Sequence, residues 1–489
     1  MSEISLKLDN LDENIPSDLS KDEVDEVHTL FYKTLALKAH RYYGGKMVTV
    51  PKAGIYGFNW FNVWYTPGVS SVSTTIRDHQ EASFELSNRG NLVGIVSDST
   101  RVLGDGDVTP PGGLGVMEGK AFLMKYLGGL DAAALCIDST NERGEKDPDR
   151  IIQFVRMAQP SFGAFNLEDI SQPNCFRVLD ELQTCEVPVW HDDAQGTGCV
   201  TLAGLINAIE VVGKKFEEAR IVFIGAGASS TTAARLVLKA GGDPSRIVLF
   251  DTKGGLHRGR KDLEKDKRFY RKWELCQSTN PERIDDPESA VRGSDAMIAL
   301  SRPGPNTIPG SWISSMARDA IVFTLANPVP EIYPHAAHEA GAAIVATGRG
   351  DFPNQVNNSL GFPGILKGAL MVRARRITDG MAIEAARSIA RSARSKGVSK
   401  NHIVPLMDEE KIIPDEAACV AVQAIKDGVA RTELTYEQAH DIATRDIAEA
   451  RRWIHMLMDQ GLIQPPPVSL ISEALDESVS KVRSRRASR

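Results

Sequence analysis

Two pairs of adjacent acidic residues are the residues of this chain best suited to bind a metal. Glu168 and Asp169 close the apolar run FGAFNL, and Asp192 and Asp193 stand in WHDDAQGT. Mg²⁺ and Mn²⁺ prefer such oxygen ligands. At about 4 Å and an effective dielectric of about 20, two carboxylates repel by roughly 4 kcal/mol, which a cation removes. The alternative is that the pairs lie apart, as helix caps or surface acids.

A glycine-rich loop downstream of the second acidic pair has the pattern of a dinucleotide phosphate loop. The run IVFIGAGASSTTAARLVLKAGG reads as strand, loop and helix, in which the glycines permit a tight turn and a close approach of the pyrophosphate. A glycine turn in an α/β domain without a cofactor is the alternative. The residues predicted to bind the cofactor here are Gly225, Ala226, Gly227, Ala228, Ser229 and Ser230.

Asp251 ends the next apolar run, where an acid binds the ribose of NAD. A basic run follows at once, and one of its cations could neutralise the 2′-phosphate of NADP, although a solvated helix explains the run equally well. The choice between NAD and NADP therefore stays open. Metal-binding acids beside a dinucleotide loop predict hydride transfer from a hydroxy acid. The cations in question are Arg260, Lys261, Lys267 and Arg268.

The elements that position these residues are predicted by apolar runs alternating with helical periodicity. Beyond residue 220 several runs are apolar throughout, as in strands covered on both faces. The predicted fold class is α/β, with an N-terminal substrate and metal domain, a doubly wound parallel-sheet (Rossmann-like) dinucleotide domain and a helical C-terminal segment. The five predicted strands lie at 221–225, 247–251, 296–301, 321–326 and 343–348.

The chain is predicted to contain five segments. They are a flexible acidic N-terminus (1–26), a catalytic domain that binds substrate and metal (27–197), an NAD(P)-binding domain (198–364), a helical segment packing on the catalytic domain (365–464) and a disordered tail (465–489).

Composition restricts the partners of the protein. A net charge of -7 over 489 residues argues against nucleic acid and anionic membranes. The acidic N-terminus has no apolar stretch typical of a signal peptide, and no apolar run reaches the length of a membrane span. The six cysteines lack C-x-x-C spacing, which fits a reducing cytoplasm. A small molecule is the expected partner.

Eight segments in order resemble malic enzymes, which oxidatively decarboxylate malate to pyruvate and CO₂ with NAD(P)⁺ and a divalent metal. The resemblance covers about residues 42–367. Its segments are VWYTPGVS (63–70), LVGIVSDSTRVLGDGD (92–107), VMEGKAFL (116–123), PSFGAFNLEDI (160–170), WHDDAQGTG (190–198), FDTKGGLHRGR (250–260), LANPVPEIYP (325–334) and TGRGDFPNQVNNSLGFPGILKGAL (347–370).

The resemblance implies a role for each matching residue. It implies a general acid and a general base, Tyr65 and Lys120, with Asp192 beside them. Metal ligands for Mg²⁺ or Mn²⁺ would be Glu168, Asp169 and Asp193. Groups near malate would be Arg101, Asn327, Asn357 and Asn358, with Asn327 also near the nicotinamide. A homodimer or homotetramer is implied as well.

Four features depart from the family pattern, and they surround the substrate and cofactor loops. They are LGDGDVTPPGGLGV (103–116), Ser99 in SDST, Gly198 in HDDAQGTG, and Ser230 at the third glycine position. Two other enzyme functions therefore stay open, a malolactic conversion of malate to lactate and a dehydrogenase of another 2-hydroxy acid. A nucleotide-binding regulatory protein without catalysis is the alternative from another class.

The expected chemistry depends on the environment of Lys120. Burial and a neighbouring cation are expected to lower its pKa from the ordinary value of about 10.4, so that it can act as a base. Arg101 would hold a malate carboxylate through its planar guanidinium. The site is expected in a cleft between the two domains, at the carboxyl ends of the strands.

Overall fold

The computed structural model describes residues 4–102, 105–407, 409 and 411–487. Val50–Arg451 form one compact unit, and Met1–Thr49 with Arg452–Arg489 form a second. Leu103 and Gly104, which open the unusual LGDGDVTPPGGLGV loop, lie outside the described residues. None of the described helices is both long and apolar enough to cross a membrane.

Helices account for most of the regular structure and cover both sheets. Short 3₁₀ turns, which carry no label, connect several of them. The helices are α1 (Lys21–Tyr43), α2 (Phe61–Trp64), α3 (Val69–Asp78), α4 (Ser83–Leu86), α5 (Leu114–Gly128), α6 (Pro148–Ala158), α7 (Asn174–Leu182), α8 (Thr197–Val211), α9 (Ala228–Lys239), α10 (Lys261–Lys265), α11 (Tyr270–Ser278), α12 (Pro287–Val291), α13 (Gly310–Ser314), α14 (Pro334–Glu339), α15 (Phe362–Met371), α16 (Asp379–Ser395), α17 (Ile412–Lys426), α18 (Tyr436–Asp459) and α19 (Val468–Ala487).

A four-stranded parallel sheet carries both acidic pairs. Its strands are β1 (Leu92–Ser97), β2 (Asp131–Cys136), β3 (Ala164–Leu167) and β4 (Val189–His191), in the order β2-β1-β3-β4. Strands β3 and β4 are neighbours in which Leu167 is paired with His191. The residues that follow, Glu168 and Asp192, therefore leave the sheet side by side at its carboxyl edge. The acidic pairs meet because the register of two parallel strands places them there.

A six-stranded sheet follows in the chain and has the predicted doubly wound topology. Its strands are β5 (Ile221–Ile224), β6 (Ile247–Asp251), β7 (Gly254–Gly255), β8 (Ala296–Ala299), β9 (Ala320–Thr324) and β10 (Ala342–Thr347), in the order β10-β9-β8-β5-β6-β7. All are parallel except β7. The strand order reverses between β5 and β8, which creates the crevice where such sheets bind ligands. The α/β fold class is confirmed.

One continuous apolar core joins the two sheets. It includes Ile95 of β1, Phe223 of β5 and Phe323 of β9, and it continues through α8 and α15. Helix α8 is buried along most of its length and directly follows the second acidic pair. The acids of the first sheet and the glycine loop of the second are thus held by one packed core.

The second compact unit is a helical one. Helices α1 and α19 pack through Val27, Phe31, Leu475 and Val482, which are all buried. Ser20 begins α1 with a reciprocal capping box to Glu23.

Both ends of the chain therefore differ from the sequence expectation of a flexible N-terminus and a disordered tail. The physical reason is an apolar stripe in each segment, which the surrounding charges obscure in the sequence. The predicted boundaries near residues 197 and 364 stay predictions.

Glu416 of α17 provides a test of this packing. Its side chain is fully buried beside Gly364 of α15, and neither carboxyl oxygen has a partner among the described residues. Burial therefore raises the pKa of Glu416 well above the usual range. A carboxyl group whose pKa is higher in the folded state than in the unfolded state contributes most to protein stability below its unfolded-state pKa of about 4.3. This contribution is lost as the pH rises through the folded-state pKa.

Replacement by Glu416→Gln should remove that loss. In urea unfolding between about pH 5 and pH 8, the wild type should lose about 1.4 kcal/mol more per pH unit than the variant, up to the folded-state pKa. Glu282→Gln, at an exposed glutamate, is the matched control. Parallel pH profiles for wild type and Glu416→Gln would contradict a neutral buried acid.

Candidate active site

Three of the predicted metal ligands lie together. One oxygen of each of Glu168, Asp169 and Asp193 lies within 4.8 Å of the others. Glu168 and Asp169 are buried, and Asp193 is partly open to solvent. Three carboxylates with an open side are a donor set that suits Mg²⁺ or Mn²⁺. The residues present therefore fit a divalent metal.

The backbone of Asp169 is shaped to hold this cluster. Its φ of 54° lies in the left-handed region, which aspartate tolerates better than most residues. In this conformation its N–H donates to Oδ2 of Asp193 at 2.7 Å, and its carbonyl accepts from the N–H of Arg101 at 3.0 Å. Asn166 donates to Oε2 of Glu168 at 2.8 Å. The acids are thus oriented by hydrogen bonds from their own loops.

Lys120 projects from α5 into the same cluster, and its side chain is almost fully buried. Its Nζ is hydrogen-bonded to Oδ2 of Asp192 and lies 3.2 Å from Oε1 of Glu168. The Phe362 ring lies 4.4 Å from the ammonium, and Trp190 donates to the other oxygen of Asp192 at 3.1 Å. Lysine, acids and aromatic rings form one buried constellation.

The electrostatics of this constellation favour bound protons. Burial by itself would lower the pKa of Lys120, but the charges of Asp192 and Glu168 outweigh it and raise the pKa above its ordinary value. Burial and the adjacent acids also hold the pKa of Glu168 well above its usual range, against the effect of Lys120. The predicted lowering of the Lys120 pKa depends on a neighbouring cation and stays a prediction for the metal-bound protein.

The predicted phosphate loop follows β5 at the crevice of the second sheet. Gly225 has a φ of 105°, and a Cβ at this position would come within 2.4 Å of the carbonyl oxygen of Leu300, beyond β8. A Cβ at Gly227 would meet nothing within 4 Å, so this side of the loop is open. Helix α9 begins at Ala228 and directs its first N–H groups toward the loop. This arrangement suits a pyrophosphate.

Ser229 connects this loop to the acidic cluster. Its hydroxyl donates to the carbonyl oxygen of Asp193 at 2.8 Å. Ser230, by contrast, is fully buried, and its hydroxyl has no hydrogen-bond partner among the described residues. The departure from glycine at position 230 is therefore accommodated inside the fold, away from the loop surface.

Asp251, the predicted ribose ligand, is held by a bidentate ion pair with Arg260. The two hydrogen bonds measure 2.9 and 3.1 Å, and Lys272 lies 3.4 Å from the same carboxylate. Arg260 also binds Asp262, at 2.9 and 2.8 Å. The other cations considered for a 2′-phosphate make local contacts: Lys261 and Lys267 contact Glu264, and Arg268 contacts Asp266. Arg260 is the candidate that touches Asp251.

The predicted substrate-binding residues lie on several different loops. Arg101 is exposed, and its backbone N–H is bonded to the carbonyl oxygen of Asp169. Asn358 approaches Gly196 in the π-helical turn Asp192–Gly196, since a Cβ there would lie 3.4 Å from the Asn358 Cβ. Asn357 caps the next turn through the N–H of Ser359, and Asn327 packs against Gly348 beyond β10.

Tyr65, the expected general acid, is not part of this constellation. It directly follows α2 and is 72% exposed, and its hydroxyl makes no hydrogen bond within the part of the chain that the structure describes. Lys120 is only 8% exposed. The two residues that the family resemblance pairs as acid and base therefore differ sharply in exposure.

Two aromatic residues of the constellation, and one buried acid at the same edge of the sheet, were missed by the sequence reasoning. Trp190 and Phe362 stand within the quoted motif segments, but their contacts with Asp192 and Lys120 arise only in the fold. Asp98, buried at the end of β1, accepts from Ser139 at 2.8 Å and from Thr100. The position of Asp98 at the carboxyl edge of the sheet was the available signal.

Comparisons with known proteins agree with this geometry. Family models described as malic enzyme, N-terminal domain and malic enzyme, NAD binding domain match residues 58–183 and 194–429. The crystal structure of Entamoeba histolytica malic enzyme has a TM-score of 0.97 at 58% identity, covering 99% of this chain and 100% of that chain.

Two named enzymes are similar to most of this chain in sequence. The NAD-dependent malic enzyme of Geobacillus stearothermophilus is 39% identical over 80% of this chain and 79% of its own length. The bifunctional malic/malolactic enzyme of Bacillus subtilis is 38% identical over 82% of this chain and 95% of its own.

The chain belongs to the malic enzyme family. The family resemblance seen in the sequence is thereby confirmed, and with it an NAD(P)-dependent oxidoreductase. The first matched region contains Lys120, Glu168 and Asp169, the second contains the phosphate loop, and Asp192 and Asp193 lie in the short stretch between the two. The roles of individual residues stay predictions.

The hydrogen bond from Ser229 to Asp193 generates a prediction for this malic enzyme. Ser229→Ala should raise the KM for the dinucleotide about twofold to tenfold, because one neutral hydrogen bond contributes about 0.5–1.5 kcal/mol. Steady-state kinetics at saturating malate would measure the KM for the dinucleotide in the wild type and the variant. Ser245→Ala is the matched control, since that hydroxyl bonds only Asp243 in the turn before β6. An unchanged cofactor KM in Ser229→Ala would contradict the coupling.

Proposed function

We propose that the protein catalyses oxidative decarboxylation of (S)-malate to pyruvate and CO₂ with reduction of NAD⁺ or NADP⁺. The observation that carries the proposal is the buried pair of Lys120 and Asp192 beside three metal-type carboxylates. A hydroxy acid bound there would have its hydroxyl next to an amine and its C2–H directed to the dinucleotide crevice. The curated relatives named above are called NAD-dependent and malic/malolactic enzymes, which supports malate as the substrate.

Binding of the substrate is assigned to the open side of the cluster. Glu168, Asp169 and Asp193 would hold Mg²⁺ or Mn²⁺. The cation, when bound, stabilises negative charge on the substrate's C2 oxygen. Arg101 would bind a carboxylate of malate through its planar guanidinium. Asn327, Asn357 and Asn358 would add amide contacts at the crevice side.

The proton of the C2 hydroxyl is assigned to Nζ of Lys120. Asp192 contacts this amine and is itself buried, and burial raises its pKa, which suits it to take up a proton from the ammonium. Lys120 and Asp192 therefore act as one proton-accepting pair, and Trp190 holds the second oxygen of Asp192 in place. A nicotinamide held by the loop Gly225–Ser230 would supply the acceptor for the C2 hydride.

Decarboxylation follows from the product of that step. The C2 ketone is β to the C4 carboxylate, so CO₂ leaves and its electron pair forms an enolate. Tyr65 is assigned to protonate C3, and the Lys120 ammonium returns the proton to the phenolate. The hydroxyl proton thus ends in the methyl group of pyruvate, and the reaction balances without another reagent.

The proposal also covers the oligomeric state of the protein and its location in the cell. We propose a homo-oligomer, a dimer or a tetramer, because a large apolar surface is exposed around Tyr65. We propose a cytoplasmic location because all six cysteines are free thiols, of which four are buried.

The test is an assay with L-malate and Mn²⁺ that compares NAD⁺ with NADP⁺ and measures pyruvate. Reduced cofactor and pyruvate should rise together and stop on addition of EDTA. Lactate without net reduced cofactor would replace the proposal by malolactic conversion, an activity named for the Bacillus subtilis relative. Turnover of a different 2-hydroxy acid in place of malate would also overturn it.

Lys120→Ala should reduce kcat by at least about a hundredfold, because the proton acceptor is lost while the acids remain. Lys125→Ala is the control, since Lys125 lies on the same helix and pairs with Asp131. Circular dichroism should show both variants folded. If the Lys120→Ala variant turned over malate at the wild-type rate, Lys120 would be excluded as the proton acceptor.

Asp193→Asn should weaken Mn²⁺ binding by at least about tenfold, as expected when a metal ligand loses its charge. Electron paramagnetic resonance of free Mn²⁺ measures this directly, without catalysis. Asp149→Asn is the control, because that exposed aspartate is paired with Arg177. Equal Mn²⁺ affinity in wild type and Asp193→Asn would place the metal elsewhere.

A further inference from the structure

Ser99 is a departure from the family pattern that the proposed function leaves unexplained. It lies just beyond β1, which ends at Ser97, and it is fully buried. Its φ of 58° lies in the left-handed region, which glycine adopts freely and serine rarely does. A strained residue of this kind indicates a local task that outweighs the strain. Glycine would lack only the hydroxymethyl group, so the task belongs to that group.

The hydroxyl of Ser99 lies against the segment that leads into α5. It donates to the carbonyl oxygen of Pro110 at 3.3 Å, and the Ser99 carbonyl accepts from the N–H of Val108 at 3.1 Å. Helix α5 begins at Leu114, directly after Gly113. Two hydrogen bonds from one residue therefore attach the end of β1 to the start of this helix.

Gly113 provides the space that the Ser99 side chain occupies. A Cβ on Gly113 would collide with the Ser99 hydroxyl oxygen, and it would lie 3.0 Å from the Ser99 Cβ and 3.5 Å from Sγ of Cys136. The φ of Gly113 is −76°, so its backbone conformation does not require glycine. The absent side chain is therefore what suits glycine to this position. Ser99 and Gly113 form a matched pair, and both lie in segments that depart from the family pattern.

Helix α5 carries Lys120 seven residues after Gly113. Seven residues make close to two turns, so the two residues lie on one face of the helix, about 10 Å apart along its axis. Lys120 contacts Asp192 and Glu168, which follow β4 and β3 of the first sheet. A shift at the start of α5 would therefore move Lys120 relative to these acids. Misplacement by about 1 Å can cost about a hundredfold in rate.

Resting on the function proposed above, we infer that Ser99 is a positioning residue for Lys120. Its side chain, fitted against Gly113, fixes the start of α5 relative to β1 and so sets the position of the Lys120 amine at the substrate hydroxyl. The predicted metal ligands follow β3 and β4, outside this contact. The matched pair therefore affects the proton-transfer step and leaves metal binding unchanged.

Gly113→Ala tests the contact. Rotation of the Ser99 hydroxyl would leave the Ser99 Cβ in place, so the start of α5 must move and kcat should fall at least about tenfold. Electron paramagnetic resonance should show an unchanged affinity for Mn²⁺, and circular dichroism should show a folded protein. Gly115→Ala is the matched control on the same helix, because a Cβ there would meet nothing within 4 Å. Wild-type kcat in Gly113→Ala, or parallel losses of kcat and Mn²⁺ affinity, would overturn the inference.

Removal of the Ser99 side chain should rescue this variant. In Ser99→Gly/Gly113→Ala the new methyl group takes the space that serine leaves. The kcat should therefore rise at least about threefold above that of Gly113→Ala, as residues in contact compensate each other. Ser99→Gly alone introduces no collision. It should lower kcat about twofold to tenfold through the lost hydrogen bond to Pro110, with an unchanged midpoint of urea unfolding because glycine adopts this φ freely. A double variant no faster than Gly113→Ala would overturn the inference.

The Lys120→Ala background shows whether the effect passes through Lys120. Without the amine its position no longer matters, so the residual turnover of Lys120→Ala should be the same with and without Gly113→Ala. A further loss in this background would assign the effect to another group and overturn the inference alone. Wild-type turnover by Lys120→Ala itself would instead overturn the proposed function and the inference with it, which distinguishes the two failures.

Discussion

The structure depends on the concentration of buried negative charge at the carboxyl edge of the first sheet. Glu168, Asp169 and Asp192 are nearly inaccessible to water, and Lys120 is the cation that contacts two of the four acids. Buried carboxylates are tolerated only when they are paired, protonated or bound to a metal. The pKa of Lys120 and the pKa of Glu168 are accordingly both raised above their ordinary values.

The fold holds this charge at the carboxyl edge of the first sheet and connects it to the second sheet through the core. The register of β3 and β4 sets the spacing of the acids, and the π-helical turn at Asp192 leads directly into the buried helix α8. That helix belongs to the core shared with β5, whose loop returns to the acids through Ser229. The acidic cluster and the glycine loop are consequently connected through one packed core and one hydrogen bond.

Much of this organisation could be predicted from the sequence, because it depends on local signals. Buried parallel strands appear in a sequence as continuous apolar runs, and a phosphate loop needs glycine at defined positions. The second sheet and the loop at Gly225 could therefore be predicted. The environment of Lys120 could not, because its pKa depends on acids brought together by strand pairing. Helix α19 was also missed, since its buried stripe, Ile471, Leu475 and Val482, is interrupted by charges that suggested disorder.

Tyr65 shows a deeper limit of sequence reasoning. A motif identifies a residue by its type and its neighbours, but it does not indicate how exposed that residue is in the fold. In this structure Tyr65 is exposed and Lys120 is buried, although the family resemblance assigns both to one reaction. The exposure of Tyr65 depends on how the whole chain packs around it, which no local pattern in the sequence indicates.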